Sequence, residues 1–385
     1  MGGFLDGTVV LDLSSVGPAA RASRILADYG AEVIKVGPPP RKQGVQIDPP
    51  FYSYGAGRGM KRARIDLKAA AGKRALLKLA ERADVLIESF RPGVADRLGI
   101  GYRDVRALNP RIIYCSTSGY GQSGPRSGQA GHDIDYLAVG GFLHCSSRRA
   151  DGTPAIPGAT VADSAAGGMH AAIAILAALA GRARTGEGAY LDVAVADGVL
   201  HMMSLHVDEH LATGSRPGPG SSILTGRYAC YDVYRTRDGK FLAVGAIEPA
   251  FFANLCRRLG LEEWIERQLD DASQAELRAA LAEAFARRDR DEWLREFEGT
   301  DACVAPVLDI EEVVRDPQFV HRGAFVEAEH PERGRFKQVG PVLAGCQRPE
   351  GVHKVPTGTD TAELLAAAGL TADEIEQMRA EGVIA

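Results

Sequence analysis

The chain has 385 residues, of which 45% are hydrophobic and 25% are charged, and its formal net charge is -5 at pH 7. Single hydrophobic cores stop growing at about 250–300 residues, so this length predicts two domains. The composition is typical of a globular protein, and the lack of a long basic stripe argues against a nucleic-acid partner.

Six cysteines are scattered along the chain without a Cys-x-x-Cys pair or a Cys/His spacing suited to zinc. We therefore predict reduced thiols and no metal site. The amino terminus lacks a basic region followed by an apolar one, and no apolar run is long enough to cross a bilayer. A cytoplasmic protein with no membrane partner is expected.

The first half alternates strand-like and helix-like segments. Helical patterns cover 19–29 and 69–83, and buried strand patterns cover 8–13, 32–36, 84–88 and 111–116. Such alternation predicts an α/β fold with a mostly parallel sheet that has helices on both faces.

A helix rich in small residues is predicted over 164–180, directly after Asp163, and a strand over 189–195 follows it. A hairpin (228–234 and 241–245) and helices near 250–260, 274–287 and 290–298 indicate a smaller α+β unit. Two short helices are expected in 360–381. We predict a large domain at 1–200 completed by about 325–385, a linker at 201–226 around the turn-rich 214–222, and a small domain at 227–324.

Candidate acid/base groups are His132 and Asp133, inside 131–136, together with Asp163 and Glu248. An imidazole and a carboxyl group on opposite faces of one carbon could remove a proton from one side and return it from the other, which inverts a stereocentre. Each residue also has a structural interpretation: a loop histidine, a helix N-cap at Asp163, and an exposed carboxylate at Glu248.

The glycines of 119–124 match the dinucleotide pattern G-x-G-x-x-G after a strand. The match is weak because the pattern should open a helix in the first βαβ unit, whereas here turn residues continue to Gly128. This segment is predicted to be a loop.

Several runs taken together resemble the family III coenzyme A transferases, specifically their α-methylacyl-CoA racemase branch. They lie at 27–33, 66–68, 83–93, 119–125, 131–133 and 245–249. The resemblance implies an interlocked homodimer in which each chain has a large Rossmann-like domain and a small domain, with active sites between the large domain of one chain and the small domain of the other. It also implies an acyl-CoA thioester substrate. Coenzyme A is then part of the substrate, and no separate cofactor is expected.

The same resemblance implies roles for particular residues. His132 and Asp163 match the two acid/base groups, Glu248 matches the partner of that histidine, and the backbone N–H of Asp133 matches a donor to the substrate carbonyl oxygen. The matching coenzyme A segments are Ile65, Asp66, Leu67 and Lys68; Ser89, Phe90 and Arg91; Arg97; and Gly131 to Tyr136.

One position departs from the family pattern. Pro38 stands where the family often has an arginine that faces the nucleotide, and Arg41 or Lys42 is the candidate replacement.

Two other functions remain open. In a coenzyme A transferase Asp163 would attack the acyl-CoA to form an anhydride, but His132 and Glu248 favour racemisation. A non-catalytic acyl-CoA-binding protein is the alternative of another class, and the retained acid/base groups argue against it. The acyl chain is not predicted, because an apolar pocket distinguishes such chains poorly.

Overall fold

The computed structural model describes residues 3–40, 57–331, 334–345, 351–355 and 358–385. Its contacts divide the chain into two compact units. The large unit comprises Met1–Phe142, Ile156–Leu205 and Gln318–Ala385, and the small unit comprises Leu143–Ala155 and His206–Pro317.

The large unit is built on a parallel sheet of six strands in the order β3-β2-β1-β4-β5-β6. The strands are β1 (Val9–Asp12), β2 (Glu32–Gly37), β3 (Lys61–Arg64), β4 (Val85–Glu88), β5 (Ile113–Ser118) and β6 (Ala189–Ala194). This confirms the predicted α/β fold with a parallel sheet. The strand order reverses between β1 and β4, and in open parallel sheets ligands bind beyond the carboxyl ends of the strands at such a point.

Successive residues of a strand point to opposite faces of a sheet. Both faces of this sheet carry buried apolar side chains, and helices cover both of them. Val10 of β1 belongs to one hydrophobic cluster and Leu11 to the other. The helices of the first part of the unit are α1 (Pro18–Asp28), α2 (Ala70–Ala80), α3 (Val94–Leu98), α4 (Tyr102–Leu108) and α5 (Asp133–Val139), and α6 (Phe142–Cys145) begins at the unit boundary.

The predicted small-residue helix is present, but it begins as a π-helix. The π-helix spans Ala162–Met169 and continues into α7 (His170–Thr185). It packs against α1 and against α8 (Val195–Met202). Short π-helical segments occur frequently at functional sites, and Asp163 is the second residue of this one.

The sequence predicts no bilayer-spanning run, whereas Ala162–Thr185 is long and apolar enough to cross a membrane by length and composition. Core helices of soluble proteins pass the same test. Ala171, Ala172 and Ile175 of this helix belong to the hydrophobic cluster that contains Val10.

The carboxyl-terminal part of the large unit adds a second sheet and two helices. The strands β10 (Phe325–His330), β11 (Gly334–Val339) and β12 (His353–Lys354) pair in the order β11-β10-β12. The two short helices expected in 360–381 are confirmed as α15 (Thr361–Ala367) and α16 (Ala372–Ala380), and Leu365 and Met378 pack into the cluster that contains Leu11. The second sheet is not predicted from the sequence.

The small unit contains the predicted hairpin, β7 (Tyr231–Arg235) and β8 (Phe241–Gly245), with β9 (Val304–Pro306) as a third antiparallel strand. Phe252, Phe285 and Trp293 lie in its core. The small unit also contains α10 (Pro249–Leu259), α11 (Gln274–Phe285), α12 (Arg290–Glu296) and α13 (Ile310–Val313), and α14 (Pro317–His321) crosses the unit boundary.

The segment predicted as a linker, 201–226, is helical over much of its length. It contains the end of α8, the helix α9 (Ser204–Thr213) and a 3-10 turn at Ile223–Thr225, whereas 214–222 has no helix or strand. The unit boundaries fall after Leu205 and after Pro317 rather than at 226 and 324, and 143–155 joins the small unit.

Candidate active site

The His132–Asp133 pair lies at the start of α5. His132 occupies the N-cap position, where its backbone N–H donates to Asp135 Oδ2 at 2.9 Å, and its side chain is exposed. Asp133 is the first helical residue, so its N–H has no acceptor within the helix. The helix dipole favours negative charge at this end.

Tyr136 fixes the loop that leads to His132. Its hydroxyl donates to the carbonyl oxygen of Gly131 at 2.6 Å, and burial raises the pKa of this hydroxyl to about 12, so it remains a donor. A Cβ atom at Gly119 would lie 2.4 Å from Tyr136 Cε1. The glycine at 119 is therefore required by this ring, and 119–124 is a loop, as predicted.

Asp163 is brought next to the His132–Asp133 turn within the large unit. Its backbone N–H donates to Asp133 Oδ1 at 2.9 Å. The N-cap interpretation of Asp163 is wrong, because Val161 occupies the cap position and Asp163 lies inside the π-helix. One hydrogen bond thus joins the two segments that carry the candidate acid/base groups.

The surroundings of Asp163 push its ionisation in opposing directions. Burial has the largest effect and raises the pKa of the Asp163 carboxyl group. The Arg21 guanidinium lowers this pKa, the Asp133 carboxylate raises it, and His132 lowers it. The pKa lies above its ordinary value as a result. A carboxyl group in such a site stays protonated at a higher pH than an exposed aspartate does.

Arg21 is a site residue that the sequence analysis missed. It lies in the first turn of α1, and its Nη1 is 4.0 Å from Asp163 Oδ2. A basic side chain at a helix N-terminus is disfavoured by the dipole. A basic residue at this unfavourable position is the sequence feature that could have indicated an acidic partner for Arg21.

Glu248 lies in the small unit, where it is the N-cap residue of α10 and follows the end of β8 after two intervening residues. Its side chain is exposed. His132 and Glu248 belong to different units, so their pairing stays a prediction that rests on the resemblance.

The first predicted coenzyme A segment follows β3. Ile65 is buried and its N–H donates to Gly37 O at 2.8 Å, so neither its side chain nor its N–H is available to a ligand. Asp66 Oδ1 accepts from the Lys68 N–H at 3.0 Å, Leu67 packs against the core, and the Lys68 side chain is exposed. Lys68 is the cation that this segment offers.

The second predicted segment, Ser89 to Arg91, follows β4. Glu88 Oε2 accepts from the Phe90 N–H at 2.7 Å and thereby holds the start of the loop. Ser89, Arg91 and Arg97 are exposed, and Arg97 Nη1 would lie 3.2 Å from a Cβ atom placed at Gly93. A pocket of about 290 Å³ opens here, lined among others by Glu88, Arg91, Asp96, Tyr102, Ser116 and Tyr190.

Pro38, which stands where the family often has an arginine, lies within the described residues. Arg41 and Lys42 lie outside the described residues. Arg64, at the end of β3, donates from Nη1 to the Pro38 carbonyl oxygen at 3.3 Å. A guanidinium group therefore lies beside this position.

Within the described ranges, no group of three or more His, Cys, Asp or Glu side chains could hold a metal ion. The site that the large unit assembles consists of an imidazole, two carboxyl groups, a guanidinium group and the N-terminus of α5.

A parallel sheet of six strands in the order 3-2-1-4-5-6, with helices on both faces, places the large unit in the Rossmann-like α/β class. The CoA-transferase family III profile matches residues 5–361, and the chain belongs to this family. The resemblance found in the sequence motifs is thereby confirmed.

Relatives of both reaction types are similar to this chain. It is 36% identical to alpha-methylacyl-CoA racemase of Homo sapiens over 383 residues, which covers 99% of this chain and 97% of the relative. It is 32% identical to succinyl-CoA:glutarate CoA-transferase of Homo sapiens over 352 residues, covering 88% and 80%. The protein is therefore an enzyme of the family III CoA-transferase and racemase type.

A solved structure shows the same fold. The crystal structure of a CaiB/BaiF family protein from Brucella suis superposes with a TM-score of 0.80 at 27% identity, and the match covers 96% of this chain and all of that one (100%).

Proposed function

We propose that the protein is an α-methylacyl-CoA racemase that interconverts the 2R and 2S forms of a 2-methylacyl-CoA thioester. The observation that carries the proposal is the hydrogen bond from the Asp163 backbone N–H to Asp133 Oδ1, which joins the His132–Asp133 turn to the segment that carries Asp163. The 36% identity to a racemase over nearly the whole chain supports it.

In the proposed reaction, one group removes the α-proton of the thioester and the other returns a proton to the opposite face. His132 and Asp163 share one proton, so either the imidazole is neutral while the carboxyl group is protonated, or the imidazole is charged while the carboxylate is ionised. Each state serves one substrate hand. After each turnover the proton lies on the other group, which prepares the enzyme for the reverse reaction.

The α-carbon of a thioester is a weak acid, so the enolate needs stabilisation. Charge gathers on the carbonyl oxygen as the proton leaves, and the Asp133 N–H is the proposed donor to it. Loss of one such donor typically costs about 10²–10³-fold in rate. Glu248 keeps its predicted role as the partner of His132, on the basis of the resemblance alone.

Coenzyme A is proposed as the carrier part of the substrate, with no separate cofactor. Its phosphates require basic side chains. Lys68, Arg91 and Arg97 are exposed cations near the carboxyl ends of β3 and β4 and are the proposed contacts.

A coenzyme A transferase is the second candidate, favoured by the 32% identity to a curated transferase. Asp163 would then be the nucleophile that forms the acyl anhydride. This reaction does not require His132 to accept the α-proton, so His132 separates the two functions.

The test is incubation of one epimer of a 2-methylacyl-CoA in deuterium oxide, followed by mass spectrometry and chiral analysis. We expect α-deuterium uptake together with epimerisation. His132→Gln and Asp163→Asn should each lower the rate by about 10²–10⁴-fold, whereas His321→Gln, an exposed histidine on α14, should leave it unchanged. Transfer of coenzyme A to an added carboxylate without label uptake would establish the transferase instead.

We also propose a cytoplasmic homodimer. The family resemblance implies the dimer, and large apolar side chains exposed on α7, including Ile173 and Leu176, offer a surface for it.

A further inference from the structure

Arg21 lies across from the first turn of the π-helix that carries Asp163. Its Nε donates to Ser164 Oγ at 2.9 Å and its Nη2 donates to Thr160 Oγ1 at 2.7 Å, while Nη1 reaches the Gly17 carbonyl oxygen at 3.3 Å. The guanidinium group is thus held by contacts on both sides of Asp163 in sequence. Its position is fixed by the fold and not by Asp163 alone.

The distance between the Arg21 guanidinium and the Asp163 carboxylate indicates an electrostatic interaction and not a hydrogen bond. Arg21 Nη1 lies 4.0 Å from Asp163 Oδ2, which is too long for a hydrogen bond. The Arg21 side chain is 23% exposed and that of Asp163 is 19% exposed, so solvent screens the interaction only in part. Arg21 favours the ionised carboxylate without occupying its oxygen atoms.

The other groups that act on Asp163 come from α5 and from its N-cap residue. They are the Asp133 carboxylate, the His132 imidazole and the Tyr136 hydroxyl. The helix α8 approaches the π-helix through Val195 and Gly198, which carry no charge. Among these groups Arg21 is the permanent positive charge, because a guanidinium group does not lose its proton in proteins.

We propose that Arg21 is a positioning residue that favours the ionised form of the Asp163 carboxyl group in the free enzyme. The inference rests on the proposed function for its catalytic meaning. Burial and the Asp133 carboxylate favour a protonated Asp163, and Arg21 counters both. Asp163 is then the base that meets the first substrate molecule.

The proposal predicts a change in pH dependence and not in stereochemical preference. The ratio of kcat/KM for the two epimers is set by their equilibrium constant, so no variant can alter it. The acid limb of kcat/KM reports the loss of activity that follows protonation of the Asp163 carboxylate. Removal of the Arg21 charge should shift that limb toward neutral pH.

The main experiment measures the Asp163 carboxyl group directly. Protein labelled with carbon-13 at aspartate carboxyl carbons is titrated by NMR, and the Asp163 signal is assigned by its loss in Asp163→Asn. In Arg21→Gln the titration midpoint should rise by about one pH unit, because an opposite charge within 4–6 Å lowers a carboxyl pKa by about 1–3 units and this pair is partly screened. Arg21→Lys should restore most of the shift.

A matched control removes one positive charge elsewhere in the large unit. Arg106→Gln, on the exposed side of α4, should leave the Asp163 midpoint unchanged. Kinetics then give the second readout: the acid limb of kcat/KM should move in Arg21→Gln by the same amount as the NMR midpoint.

An unchanged Asp163 midpoint in a folded Arg21→Gln variant overturns the proposal, as does a uniform loss of activity at every pH with the acid limb in place. The NMR titration needs no turnover. If the wild-type protein fails to exchange α-protons, the racemase function fails, while the midpoint shift still decides whether Arg21 controls the ionisation of Asp163.

Discussion

Glu88 is a buried carboxyl group at the end of the central strand β4. It is 3% exposed, and its Oε2 accepts the Phe90 N–H at 2.7 Å. Burial raises its pKa above the ordinary value of 4.5, while the Ser116 hydroxyl and the Phe90 N–H oppose the rise. The Glu88 carboxyl group holds the start of the predicted coenzyme A loop through the Phe90 N–H. Burial makes its ionised form energetically unfavourable.

This cost predicts a pH-dependent effect of Glu88→Gln on stability. The folded state binds the Glu88 proton more tightly than the unfolded state, so the stabilisation linked to this proton is complete below pH 4.5 and is lost as the pH rises through the raised folded-state pKa. A neutral glutamine can still accept from Phe90. We expect Glu88→Gln to become more stable relative to wild type as the pH increases, measured by urea unfolding at pH 4.5 and pH 7.5.

Glu88→Ala is the companion variant. It leaves the Phe90 N–H without its acceptor and should lose about 1–3 kcal/mol at both pH values. A Glu88→Gln difference that stays constant between the two pH values would show that the Glu88 carboxyl group is not linked to folding.

At the scale of elements, the contact between α8 and the π-helix depends on glycine. A Cβ atom at Gly198 would lie 2.1 Å from the Ala166 carbonyl oxygen, so the two backbones touch where a side chain would separate them. This contact sets the position of the turn that carries Asp163. Backbone atoms cannot yield in the way that a flexible side chain can.

Gly198→Ala should therefore move α8 away from the π-helix. We expect a loss of about 1–3 kcal/mol in the free energy of unfolding, the usual cost of overpacking, with a fall in kcat. Gly181→Ala on α7 is the matched control, because among the described residues nothing lies within 4 Å of its added Cβ. It should gain about 0.5–1 kcal/mol from helix propensity. Equal effects of the two substitutions in thermal unfolding would contradict the close-contact explanation.

The elements with strong periodicity are those that the sequence predicts well. Buried runs such as 84–88 and 111–116 identify central strands, since both faces of a parallel strand are apolar. The strand β3 is Lys61-Arg62-Ala63-Arg64, in which only Ala63 is buried, so its pattern is that of a basic surface. The β10–β12 sheet likewise carries charged side chains, such as Glu327 opposite Lys337, and its pairing is set by tertiary contacts.

The candidate site divides in the same way. His132 and Asp163 are identified from chemistry and family motifs, and the structure brings their segments together through Asp133. Arg21 is 142 residues from Asp163 in sequence, and no local pattern links them; only the packing of α1 on the π-helix does. The π-helical form itself is not predicted, because small residues such as those of 164–168 are equally compatible with an α-helix.

At the scale of the molecule, the outer face of Ala162–Thr185 is a large apolar surface. Met169, Ile173 and Leu176 are 53%, 64% and 36% exposed. The helix α8 adds Leu200 and Met202, which are also exposed. Several large apolar side chains exposed on the helices of a folded chain are typical of an interaction site. A second copy of this chain is the proposed partner, as the family resemblance implies.

The proposed homodimer predicts a mass twice that of the 40.9 kDa chain in light scattering after size-exclusion chromatography. The double variant Ile173→Glu with Leu176→Glu would bury two unpaired charges in a dimer interface, and breaking the dimer avoids that cost. We expect it to elute as a folded monomer with lost racemase activity, whereas Ala279→Glu on the exposed side of α11 should remain dimeric. A wild-type monomer, or a dimer that both variants retain, would assign this apolar surface to another role.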